Sequence, residues 1–280
     1  MDGIARGELP DPAIAAGYRL DEHADCAPPP GGCPPPPFDR KNAVPVGLWS
    51  QRIRLDAVLA LGRDARIDLD GVVLAGLVAL ERDEAPAVPL LVGPWQAFRA
   101  PGAGVRLRAR GVVSGSAHLV LAVATRGGPV SGWLAGRPMP WPLRPGVVAT
   151  VDLGARAPLS WAGGKAHARL GFEHGLASFG LLLGAPDAPV PPHRHDGSWE
   201  VIGLLRARGA FHREAGPGAD ASASFMNEPG QSAEDGAIVS VPPGVAHAWT
   251  PAGDRPLLAV QLYAPPGPEQ RFKDLAAKAR

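Results

Sequence analysis

The chain has 280 residues, of which 28 are Lys or Arg and 27 are Asp or Glu, for a formal net charge of +1. That length suits about two domains of roughly 150 residues, and the balanced charge excludes the clustered basic excess on which nucleic-acid binding depends. No apolar run approaches the ~18 residues of a membrane span, whereas 45% hydrophobic residues punctuated by 36 Gly and 33 Pro fit an all-β protein with many turns.

Asp2, Arg6 and Glu8 interrupt any apolar stretch at the start, so no signal peptide is read and a cytoplasmic location is the default expectation. Residues 1–44 read as a Pro/Gly-rich tail. Pro28 to Pro30 and Pro34 to Pro37 favour polyproline II and cannot form a ladder. Cys26 and Cys33 flank a short Pro/Gly loop. They either pair as a disulfide, implying an oxidising compartment and an exported form, or stand as two thiols. A zinc site there lacks ligands, with only His23 nearby.

From Val44 onward, short runs of Val, Leu and Ile alternate with Gly/Pro/Asp turns. Strands are predicted over Val72 to Leu80, Val105 to Arg110, Leu119 to Thr125, Leu176 to Leu183, Glu200 to Ala207, Ala237 to Val241 and Leu257 to Tyr263. A helix is predicted only at the end, over Pro268 to Arg280. Pro268 and Glu269 suit its first turn, and Lys278 and Arg280 its last.

The halves of this strand array echo one another. The run from Leu119 to Thr125 followed by Gly and Pro parallels Leu257 to Tyr263 followed by Pro266, Gly267 and Pro268. Upstream, Gly104-Val105 parallels Gly244-Val245, and Val72 to Leu77 parallels Glu200 to Leu205. Two similar β-domains are therefore expected, 45–160 and 161–280.

The second domain concentrates the chemistry. His193 and His195 sit at i and i+2, which on a strand points both rings to one face. Asp196-Gly197 supplies a turn, and Glu200 opens the next apolar run, where a buried carboxylate needs a cationic partner. Further on, a strand ends in Pro242-Pro243-Gly244 and the following strand presents His247.

These residues resemble the cupin family. Its first motif is matched by His193-x-His195, four residues and Glu200, and its second by Gly236-x5-Pro242-x-Gly244-x2-His247. Three positions depart from the pattern: Gly184 precedes His193 at a longer distance than usual, Gly209 falls late, and Pro251 stands where Asn is common. None of these is a metal ligand. The resemblance implies a pair of antiparallel β-barrels of jelly-roll type, a two-cupin protein. In the second barrel His193, His195, Glu200 and His247 would hold one divalent ion, Fe2+ first, with Mn2+, Ni2+, Co2+ and Zn2+ as alternatives. In the first barrel, Leu107 stands opposite His247 and Val72 opposite Glu200, so it reads as a degenerate cupin without metal ligands. His118 reads there as a strand-edge residue.

Parity supplies further candidates. Gln261 and Tyr263 share a face of the last long strand. Either both point to the metal cavity, Gln261 orienting a ligand histidine and Tyr263 donating to a metal-bound oxygen, or both face away from it. Trp249 walls an apolar pocket or belongs to the core. His212 reads as a surface residue, and Arg206 and Arg208 face either an anionic substrate or solvent. The function expected is a metal-dependent, dioxygenase-type oxidoreductase on a small organic substrate. The alternatives are a lyase or isomerase using the metal as Lewis acid, or a non-catalytic module binding a sugar or small acid. Exposed barrel sheets often pair, so a homodimer is one assembly to expect.

Overall fold

Antiparallel strands make up almost every regular element of the chain. The computed structural model describes residues 3–18, 20, 46–55, 58–82, 88–110, 116–125, 148–173, 175–214 and 230–279. Two compact units result, one of Asp11–Gly17 with Asp21–Leu153, the other of Met1–Pro10, Tyr18–Leu20 and Gly154–Arg280. Among the described residues no helix is long and apolar enough to cross a membrane.

The first unit begins with α1 (Pro12–Ala15), whose Asp11 cap accepts from the Ala13 amide at 2.7 Å. Then follow β1 (Val46–Arg54), β2 (Val58–Ala75), β3 (Leu77–Arg82), β4 (Leu90–Val92), β5 (Gln96–Arg110), β6 (Ser116–Thr125) and β7 (Ala149–Asp152). They form one sheet in the order β1-β6-β2-β5-β3-β4, with β7 on β5. Leu69, Val73, Phe98, Leu107, Leu119 and Leu121 build its core from alternate positions. A Cβ at Gly71 would strike the Phe98 ring, so the close approach of β2 and β5 requires glycine there.

Leu107 and Val72, which the sequence parallel sets against His247 and Glu200, are both fully buried. His118 is not at an edge: β6 lies between β1 and β2, and His118 is 3% exposed, paired with Arg52 on one side and Ala75 on the other. The strand that covers it, β1, carries Arg52 and Arg54 and gives a weak apolar signal in sequence. Cross-strand partners Asp70 and Arg99 form a buried bidentate pair at 2.6 and 2.7 Å.

The second unit contains β8 (Leu159–Trp161), β9 (Ala166–Phe172), β10 (Ser178–Gly184), β11 (Val190–His193), β12 (Trp199–Arg206), β13 (Arg208–Arg213), β14 (Gln231–Glu234), β15 (Ile238–Val241), β16 (His247–Pro251), β17 (Leu257–Ala264) and α2 (Gln270–Lys278). Six strands form a sheet in the order β15-β12-β17-β10-β9-β8, and four form a second, β11-β16-β13-β14. Leu182, Leu204, Phe211, Trp249, Ala259 and Phe272 belong to one core. This is the jelly-roll arrangement. The main segment of the unit starts at Gly154, ahead of a division at 160/161, and β8 pairs with β9 through Leu159 and Ala168.

The C-terminal helix starts two residues after Pro268. Glu269 precedes it and accepts from Ser178 Oγ at 2.8 Å and the Gly267 amide at 2.7 Å, while Phe272 stacks on Trp161 with centroids 5.2 Å apart.

The first twenty residues are not simply tail. Gly3–Arg6 forms a 3-10 turn with Ile4 fully buried. The Gly7 carbonyl accepts from Arg169 Nε at 3.1 Å and Nη2 at 2.6 Å. Ile4 and Leu20 supply the buried apolar groups that a Pro-rich reading overlooks. The proline runs, Cys26 and Cys33 lie outside the described residues.

Candidate metal centre

Four side chains are brought together by three local devices. His193 ends β11 and His247 opens β16, and the two are cross-strand partners. His195 lies beyond the end of β11 rather than on it; its carbonyl accepts from the Gly244 amide at 2.8 Å, so the Pro-Pro-Gly turn holds it. Gly244 takes a φ of 77°, which explains the glycine. Glu200, second residue of β12, is paired with Val241 on one side and Tyr263 on the other.

The resulting cluster is tight. One ligand atom from each of His193, His195, Glu200 and His247 lies within 4.8 Å of all the others. Ring centroids are 4.1 Å apart for His193 and His247, 5.0 Å for His193 and His195, and 5.3 Å for His195 and His247. Glu200 and His247 are each 1% exposed.

The hydrogen bonds of the rings suit a cation at the centre of the cluster. His193 Nδ1 donates to the Pro191 carbonyl at 2.8 Å and His247 Nδ1 to the Val245 carbonyl at 3.1 Å. A neutral ring so fixed presents a bare Nε2 lone pair. Glu200 Oε2 stands 2.6 Å from His247 Nε2 and 3.2 Å from His195 Nε2. All three atoms are buried without a hydrogen-bond partner, and for His247 this sets lone pair against lone pair. Such an arrangement costs energy unless a proton or a metal ion occupies the centre.

In the absence of an ion, the titration directions leave His193 neutral and draw a proton to the His247–Glu200 pair. Burial, followed by the His247 charge, pushes His193 down to about 3, so its ring is neutral and available. Burial also lowers His247, but the Glu200 carboxylate outweighs it and holds the ring above its ordinary value. Burial raises Glu200, yet His195 and His247 together hold it well below the usual carboxylate range.

The surrounding residues sort themselves by contact. Gln261 Nε2 donates to Glu200 Oε1, which leaves Oε2 for the cluster. Gln261 thus orients the carboxylate and not a histidine, because β17 lies beside β12 in the six-stranded sheet, whereas His193 and His247 sit on strands of the other. Tyr263 is 3% exposed with its ring edge-on to His195 at 5.0 Å, and burial, then the Glu200 charge, keeps its hydroxyl protonated.

Beside the cluster lies a cavity of about 600 Å³, bordered by His193, Glu200, His247, Gln261 and Tyr263. Trp249, 5% exposed, belongs both to its wall and to the core. Arg206 and Arg208 do not line it; His212 is 8% exposed on β13, buried where sequence placed it at the surface. Two cations do line it, Arg271 and the exposed Lys278, and the sequence reading singles out neither as a cavity residue. Their signal was helical spacing, since Arg271, Leu275 and Lys278 fall on one face of α2 and all border the cavity.

No protein-family model matches the chain, and no curated protein matches it in sequence. Its fold is shared by solved structures. Oxalate decarboxylase from Bacillus subtilis at pH 4.6 aligns with a TM-score of 0.58 and 12% identity, over 79% of this chain and 68% of that one. The Bacillus subtilis oxalate decarboxylase described for its Mn(II) centres gives 0.59 and 12%, over 80% and 70%. An oxalate decarboxylase described for its substrate binding mode and a reaction-specificity switch gives 0.56 and 12%, over 80% and 70%. At that identity the likeness is one of fold alone, and the His193, His195, Glu200 and His247 cluster is a group that could hold a metal ion.

Proposed function

We propose that this two-cupin chain is a metal-dependent enzyme, a dioxygenase-type oxidoreductase acting on a small organic substrate. His193, His195, Glu200 and His247 hold one divalent ion, Fe2+ in the first instance, and the first barrel is a degenerate cupin. The observation that carries the reading is the set of buried, unpartnered Nε2 and Oε2 atoms converging at the wall of a largely apolar cavity. Three imidazoles and one carboxylate form a mixed N/O set suited to Fe, Mn, Co or Ni. Such an ion supplies Lewis-acid and redox chemistry with coordination positions left for substrate and dioxygen.

The chain's own residues prepare that site. Gln261 fixes Glu200 so that one oxygen faces the ion. Tyr263 carries a protonated hydroxyl at the cavity wall and is the candidate proton donor. Ile202, Leu204, Phe211 and Trp249 exclude water from the space where substrate lies.

A lyase reading is favoured by one observation, the likeness to oxalate decarboxylases. Oxalate itself fills little of a cavity of about 600 Å³, so the substrate is a larger molecule under either reading. The test is an oxygen electrode run alongside carbon dioxide detection, with a panel of organic acids and Fe(II)-loaded protein. The oxygenase reading expects oxygen uptake that His247→Ala abolishes, with dioxygen as the only oxidant and both its atoms in product. Carbon dioxide release at constant oxygen would replace it with the lyase reading. Tight ion binding without turnover would replace it with a binding module.

A further inference from the structure

Arg271 is a half-buried guanidinium in a wall that, away from the His/Glu cluster with Gln261 and Tyr263 and from the exposed Lys278, is apolar. Among the described residues no carboxylate pairs with it and no hydrogen bond holds its side chain. It is close enough to the cluster to act electrostatically on His193, His247, Glu200 and Tyr263. A desolvated cation without a counter-ion is unfavourable, and it marks a place where an anion completes the structure. Glu200 does not serve, because Gln261 engages one of its oxygens and the histidines face the other.

We infer that Arg271 receives the carboxylate of an organic monoacid whose apolar body lies against Trp249, Phe211, Ile202 and Leu204. The inference rests on the metal-dependent reading for the role of the site, but its own chemistry is that of the arginine. A planar guanidinium matches a carboxylate in a bidentate pair, which a point charge does not reproduce. A divalent ion held by a single carboxylate leaves the cavity with excess positive charge, which one anionic group reduces. Most of the remaining wall is apolar, Lys278 lying at its exposed end, and about 600 Å³ is room for an aromatic or long alkyl acid.

The arginine is also well placed to select. It sits in the first turn of α2, next to Phe272, whose ring stacks on Trp161, and two residues after Glu269, which is tied to Ser178 and Gly267. The helix is thereby fixed to the six-stranded sheet, so the guanidinium is offered from a rigid element. Arg271 is a specificity-determining residue and takes no part in the reaction itself.

The test uses the full chain, chelator-treated and Zn(II)-loaded, and measures calorimetric affinities for phenylacetate and its neutral isostere phenylacetamide. Wild type is expected to prefer phenylacetate by about tenfold or more. Arg271→Gln is expected to reduce phenylacetate affinity about tenfold in both forms while leaving phenylacetamide within about twofold; Arg271→Lys should fall between. Circular dichroism and the melting temperature establish that each variant is folded. If phenylacetate affinity does not change in Arg271→Gln, or wild type binds neither probe, the inference is overturned. A chain that binds no zinc yet selects the acid through Arg271 would overturn the metal reading and leave this one standing; a chain that binds zinc without that selection would do the reverse.

Discussion

Glu200 uses its two oxygens differently, Oε1 taking the Gln261 amide and Oε2 facing two imidazoles, and this asymmetry fixes which lone pair an ion meets. Gln261→Leu removes that restraint and leaves Oε1 buried and unpaired. Metal affinity, measured by competition with a chromophoric chelator, is expected to fall 10–100-fold, with the fold retained. Unchanged affinity would mean that the amide does not position the carboxylate. The four cluster residues were legible because each occupies a spacing with a geometric meaning: two residues apart at a strand end, a turn before Glu200, and Pro-Pro-Gly before His247. The partner of Gln261 was not legible, since alternation gives the face of a strand but not the neighbour across it. Arg271 was missed because its role depends on α2 folding back onto β8.

At the scale of elements, two features carry stability that the motifs do not report. Arg169 is 8% exposed and donates to the carbonyls of Gly7, Gly154 and Arg156. Its replacement by Ala leaves those acceptors unmet and is expected to cost about 2–3 kcal/mol, read in urea denaturation, and to speed proteolysis near Gly7. Unaltered stability would show the N-terminal turn to be dispensable.

The other feature is the Asp70–Arg99 pair between β2 and β5. Burial raises Asp70 from 3.8 to about 6, outweighing the arginine. The folded state therefore binds this proton more tightly than the unfolded one. Its contribution is full below pH 3.8 and is lost as pH rises through about 6. Thermal unfolding of wild type and Asp70→Asn at pH 5 and 7.5 should show a smaller change with pH in the variant. An equal change would place the titration elsewhere. Strands such as β6 and β17 were legible from continuous Val and Leu. β1 was not, because its Arg52 and Arg54 dilute the apolar alternation, and His118 was misplaced at an edge as a result.

Across the molecule, the two units differ in strand arrangement and in chemistry, the one a seven-stranded sheet and the other sheets of six and four strands. Among the described residues only the unit containing Gly154–Arg280 gathers imidazoles and a carboxylate at one point, while Val72 and Leu107 of the other are buried apolar side chains. A ligand bound only to the folded state stabilises by mass action, ~2.7 kcal/mol at a hundred times Kd. Hydrogen exchange with saturating ion should accordingly gain protection over β11, β12 and β16 and not over β2 or β6; protection gained mainly over β2 and β6 would contradict a single site. The most direct measurement of the central claim is the metal content and X-ray absorption spectrum of the purified chain beside His247→Ala. The account expects one divalent ion per wild-type chain, ligated by nitrogen and oxygen with imidazole scattering. It expects that ion to be absent from the variant, whose circular dichroism stays the same. An ion retained at full occupancy in His247→Ala, or no ion taken up by wild type after loading, would contradict it.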